Sequence, residues 1–135
     1  MYNQGVQKHL GIFDLSLAGK ILSGEKTIDA RFSKSKIAPY GQISVGDLVY
    51  VKLSGKDIIG QFRVKKVYSF EGLGEEEIRE IREKYGEEIQ ASEQFWGEKG
   101  DCRYGTLIFI EGVIPLITSP ITLTKKDLRG WVVLE

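Results

Sequence analysis

Lys26, Asp29 and Arg31 lie within one stretch, Gly24-Glu25-Lys26-Thr27-Ile28-Asp29-Ala30-Arg31. A lysine desolvated among such groups becomes a base or nucleophile. An aspartate beside it orients the amine or accepts from a ligand amino group, and an arginine holds phosphate through its planar fork. On a strand, positions 29 and 31 share a face, whereas Lys26 is sent to the other face with Ile28 and Ala30. A twist or bulge at the strand's start would turn Lys26 back. The competing reading makes Asp29 and Arg31 a structural ion pair, because ion-pair networks also produce charged strand ends.

Two further stretches have residue types suited to chemistry. Phe32 to Gly46, about 15 residues without periodicity, contains Ser33, Lys34, Ser35, Lys36 and Tyr40. Cations, hydroxyls and an aromatic suit contacts to phosphate and to a base or sugar, while an exposed mobile loop is the plainer alternative. Gln94 to Tyr104 sets Phe95 and Trp96 among glycines and charges, either as a stacking wall for a planar ligand or as core aromatics docking a helix. His9 is the only histidine and Cys102 the only cysteine, so no metal site is expected. Phosphate-loop, dinucleotide and nucleophile-elbow motifs are absent, and no cofactor is expected.

The elements that must position these groups are short. Leu15 to Leu22 has helical spacing, with Ser16 as cap and Gly24 as the terminating glycine. Thr27 to Phe32 reads as a strand. Leu48 to Leu53 alternates, and with Ile58 to Tyr68 it forms a hairpin through Ser54-Gly55-Lys56-Asp57. Glu75 to Tyr85 is the clearest helix, with an acidic first turn, an Ile78, Ile81, Tyr85 stripe and Gly86 as its end. Tyr104 to Val113 and Gly130 to Leu134 are strand-like, and Thr124-Lys125-Lys126-Asp127 opens a single helical turn. The expected architecture is α+β, a small mixed β-barrel of about five to seven strands with two or three flanking helices.

With 135 residues the chain is expected to form one domain, 1–135. Lys+Arg and Asp+Glu both number 19, so any nucleic-acid affinity must come from a local patch rather than from net charge. No apolar run approaches the ~20 residues of a membrane span, and a polar start with one cysteine points to the cytoplasm.

Leu22-Ser23-Gly24-Glu25-Lys26-Thr27-Ile28-Asp29-Ala30-Arg31 resembles the signature of the ASCH family of the PUA-like superfamily: glycine, any residue, lysine, two residues, an acidic residue or threonine, one residue, arginine. Val45-Gly46-Asp47-Leu48, Gly60 to Val67 and Tyr104 to Phe109 resemble later strands of that family. The resemblance implies a β-barrel with a cleft beside the helix that precedes the motif, acting on RNA or nucleosides. Some similar proteins are amidohydrolases of acetylated cytidine, and others are ribonucleases. In the amidohydrolases the motif lysine is the base, a threonine three residues on is the nucleophile and a distant glutamate is the acid. Lys26 matches the lysine, Asp29 stands in the threonine's place, and Glu71, Glu75 and Glu93 are the glutamates open for the third role. The expected protein binds RNA or a nucleotide, with Lys26, Asp29 and Arg31 lining the cleft, Lys34 and Lys36 on a mobile flank, and Tyr40 or Trp96 stacking. The alternatives are a nucleic-acid-directed hydrolase, with Lys26 and Asp29 catalytic, and a structural or protein-interaction domain.

Overall fold

The structure is a computed structural model that describes residues 5–121 and 130–135. The described elements run β1 (Lys8–Phe13), α1 (Leu15–Ser23), β2 (Ile28–Ser33), β3 (Leu48–Leu53), β4 (Ile58–Glu71), α2 (Glu75–Ile89), α3 (Glu93–Glu98), β5 (Tyr104–Pro115) and β6 (Trp131–Leu134). They build one six-stranded mixed sheet in the order β2-β5-β4-β3-β1-β6, with β1 and β3 parallel and every other pair antiparallel. Register shifts at Val51/Lys52, Gln61/Arg63 and Val64/Lys66 bend and twist the long central strands. The sheet curls into a half-barrel with β2 and β6 as its edges. The α+β expectation holds, and closure stops short of a complete backbone ladder.

The curled sheet is covered on both sides. Val49, Val51, Phe62, Val64, Ile108 and Trp131 pack with α1 residues Ala18 and Ile21 in one core. Ile28, Ala30, Phe32 and Leu107 pack under α2 and α3 in a second. Leu10, Leu48, Tyr50 and Ile58 form a third, closed by Leu116 and Ile121. β3 is therefore buried on both faces along Leu48–Val51, which its alternating pattern alone did not indicate.

Local chemistry explains most boundaries. Helix α1 is capped by Asp14, whose Oδ1 accepts from the Leu17 amide at 2.8 Å. The carboxylate reaches the third helical amide, so Asp14 and not Ser16 is the cap. Gly24 ends α1 at φ 85°, where a side chain would be strained. The helix lies close on β4 because Gly60 has no side chain: a Cβ there would come within 2.7 Å of Leu22 Cδ2. Helix α2 does not end at Gly86 but runs on to Ile89, which is 1% exposed. Burying that isoleucine contributes about 1.5–3 kcal/mol, against a cost of about 1 kcal/mol for an internal glycine. Helix α3, capped by Ser92 Oγ accepting from the Phe95 amide at 3.1 Å, arises where a stacking wall was one of two readings. The helical turn expected at Thr124 to Asp127 lies outside the described residues. No helix among the described residues is long and apolar enough to cross a membrane.

Candidate functional site in the seam of the half-barrel

The curl brings edge strand β2 toward the far end of the sheet, where β1 ends and β6 begins, and a cleft of about 270 Å³ lies in that seam. Asp29 and Arg31 line one side, and Ile12, Phe13, Gly130 and Trp131 line the other. Arg31 spans the gap. Its Nε donates to Asp29 Oδ2 at 2.7 Å, Nη1 to the Gly130 carbonyl at 3.1 Å and Nη2 to the Ile12 carbonyl at 3.1 Å. The guanidinium carbon stands 4.7 Å from the Phe13 ring centre and 5.0 Å from that of Trp131, a cation–π arrangement on both. Three of its five N–H groups are used, leaving one on each terminal nitrogen.

Lys26 precedes β2, and its backbone is tied down at once: its amide donates to the Lys20 carbonyl, and the Thr27 amide donates to Glu88 at the end of α2, both at 2.9 Å. This fold-back turns the lysine into the seam. Its ammonium, 2% exposed, donates to the Ile28 carbonyl at 2.9 Å and the Ile89 carbonyl at 2.5 Å. The Ile89 carbonyl belongs to the negative end of α2, where a cation is favoured. Lys26 Nζ lies 3.6 Å from Asp29 Oδ1, an ion pair beyond hydrogen-bond distance, so that oxygen keeps acceptor capacity. Burial pulls the Lys26 ammonium below its ordinary range. Asp29 opposes the shift, while Arg31 and Lys20 add to it.

A second polar chain supports the far wall. Trp131 Nε1 donates to His9 Nδ1 at 3.1 Å, and His9 Nε2 meets Asp47 Oδ2 at 2.9 Å. An indole nitrogen can only donate, so Nδ1 is the acceptor and the ring proton sits on Nε2, facing the carboxylate. Asp47 also accepts from the Gln7 and Ser44 amides. His9 is 0% exposed and fixes the indole that packs on Arg31.

Lys26, Asp29, Arg31 and Tyr40 therefore share one cleft. Asp29 and Arg31 are also mutually paired, so the ion-pair reading and the shared-cleft reading both describe the same two residues. Lys34, Lys36 and Trp96 lie outside the lining. Lys34 pairs with Asp101 at 2.9 Å and Lys36 with Glu71 at 3.9 Å, all four side chains exposed. The flank carrying them packs on the body of the fold: Ile43 and Pro39 are buried, and Tyr40 packs edge-on to Tyr104 at 5.2 Å. Trp96 is a core aromatic, set 6.1 Å from Phe32 and 5.2 Å from Phe95. Its neighbour Phe95 lines the cleft with Lys99. Glu71, Glu75 and Glu93 do not line it, and its carboxylates are Asp14 and Asp29. Sequence reasoning missed Thr106, Trp131 and Asp14 on the lining. Thr106 gave no signal beyond being a polar residue in an apolar strand. Among the described residues no group of three His, Cys, Asp or Glu is placed to hold a metal ion.

The six-stranded mixed half-barrel with three helices has the fold of ASCH domain proteins. The ASCH protein of Zymomonas mobilis is similar at TM-score 0.72 and 15% identity, over 97% of this chain and 90% of that one. Two single-substitution variants of that protein give TM-scores of 0.73 and 0.71 at 15% and 16% identity, over 96% and 95% of this chain and 89% and 90% of theirs. No family model and no curated protein matches the chain in sequence.

Proposed function

We propose that the seam cleft binds one nucleoside or nucleotide, free or as a single unit of an RNA. The observation that carries this reading is the convergence of Lys26, Asp29 and Arg31 on one small cleft with Tyr40 and Phe95. Its volume of about 270 Å³ lies just under the ~300–1,000 Å³ usual for drug-sized ligands, so it suits one nucleoside rather than a length of strand. The free N–H groups of Arg31 serve phosphate or a carbonyl, Asp29 Oδ1 accepts from an exocyclic amine, and the aromatics offer stacking faces. The similarity in fold to the Zymomonas ASCH protein supports a nucleic-acid-related role.

The test is titration of the pure chain with single ribonucleoside 5′-monophosphates and short RNAs. Binding should raise the melting temperature, weaken at least tenfold in Arg31→Gln and fall with salt. Failure of every such ligand to bind would remove the reading.

One observation favours a hydrolase as the second reading: burial lowers the pKa of Lys26 beside an open cleft, which suits a general base. No glutamate lines the cleft, so the acid role of the amidohydrolase pattern is unfilled by the residues that line it. Turnover of acetylated cytidine or RNA that vanishes in Lys26→Ala would establish it, and the absence of turnover across the pH range would exclude it.

A further inference from the structure

Thr106 stands on β5, between β2 and β4, directly opposite Arg31 on one side and Ser69 on the other. It is 1% exposed, and its Oγ1 is the only buried side-chain nitrogen or oxygen among the described residues without a hydrogen-bond partner. By strand alternation it shares a face of β5 with Ile108, a member of the core that includes Trp131. A valine has the same shape and would fill that place without leaving a hydroxyl unbonded. A hydroxyl left unbonded there would lower the folding equilibrium roughly ten- to a hundredfold relative to a bonded one. A buried hydroxyl normally finds a partner, and the side on which this one can find it is the cleft that Thr106 lines.

We infer that the Thr106 hydroxyl is a ligand-contacting group at the floor of the seam cleft, donating to an oxygen acceptor of the bound molecule beside the Arg31 guanidinium. The inference rests on the nucleotide reading for the identity of that molecule, whose oxygen is a base carbonyl, a ribose oxygen or a phosphate oxygen. Two neighbouring donors, one neutral and one cationic, from opposed positions on adjacent strands make an acceptor-selective corner. Lys26 is committed to two carbonyls and contributes charge there more than free donors. Thr106 is accordingly a binding residue that gives up stability in the empty protein for a bond made when the cleft is filled.

The experiment compares the parent chain with Thr106→Val and Thr106→Ser. Each is unfolded thermally without ligand and titrated calorimetrically with uridine 5′-monophosphate and adenosine 5′-monophosphate, each alone. Thr106→Val should melt several degrees above the parent yet bind the preferred nucleotide about tenfold more weakly, while Thr106→Ser retains affinity. Equal affinity of Thr106→Val and parent overturns the inference and leaves the nucleotide reading intact. If neither nucleotide binds the parent, the nucleotide reading loses its support and the melting temperatures decide: a rise in Thr106→Val sustains an unused hydroxyl held for another acceptor. In every case a Thr106→Val that melts at or below the parent overturns the inference, because the hydroxyl would then be bonded inside the protein.

Discussion

Two sets of cations and carboxylates border strand β2, and they differ in almost everything except charge. Lys26, Asp29 and Arg31 are locked by carbonyls from Ile28, Ile89, Gly130 and Ile12, with Asp29 3% exposed. Lys34 with Asp101 and Lys36 with Glu71 are pairs standing in water, each side chain at least 60% exposed. The same charges at similar distances interact several-fold more strongly where water is excluded, whereas exposed pairs are screened and lose rotamer freedom on pairing. The difference teaches that desolvation, and not the count of charges, sets the candidate site apart. The two lysines of the basic loop neutralise acids locally.

The comparison breaks most visibly at Asp29. Asp29→Ala leaves two cations facing each other in a largely buried seam and should lower stability by about 3–4 kcal/mol, read from the urea midpoint at unchanged m value. A loss under about 1 kcal/mol would put the buried set on the footing of a surface pair.

Lys26→Met comes next. It keeps the apolar stem but loses the two carbonyl bonds, and about 1–2 kcal/mol is expected above pH 10.5, with less at neutral pH. The sign of its pH dependence follows from burial. The folded-state pKa lies below the ordinary 10.5, so between the two values the unfolded chain binds more protons. The contribution of this group is complete above 10.5 and is lost as pH falls through the folded value. Parent stability should therefore rise with pH relative to Lys26→Met in that window, and a flat difference would mean that the ammonium is effectively solvated. The smallest effect belongs to the exposed set: Lys34→Ala and Lys36→Ala should melt within about 1 °C of the parent, and a larger drop would show that the loop depends on its charges.

Much of the scaffold was legible. Leu48–Leu53 emerged with its ends intact, Gly24 ended α1 as its conformational freedom suggested, and Asp29 and Arg31 share a face as strand alternation requires. The misreadings have physical causes. Gly86 is a poor helix residue that the burial of Ile89 overrides, and that burial is a tertiary fact. α3 is too short for periodicity to reveal. The turn-back of Lys26 rests on Glu88 and Ile89, some sixty positions away in sequence, and no local pattern announces such a contact. Trp96 and Phe95 are neighbours on one short helix, and only packing decides which faces the core and which the cleft.

The clasp formed by Arg31 has a consequence for the sheet as a whole. An open edge strand is ordinarily a template for another chain, and the two edges of this sheet share no backbone ladder. One guanidinium, hydrogen-bonded to the Gly130 and Ile12 carbonyls across the gap, works as a hasp holding the curl. The same guanidinium faces the cleft. A molecule that bonded Arg31 only while it bridges the two edges would favour the rolled sheet by its difference in affinity for the two forms.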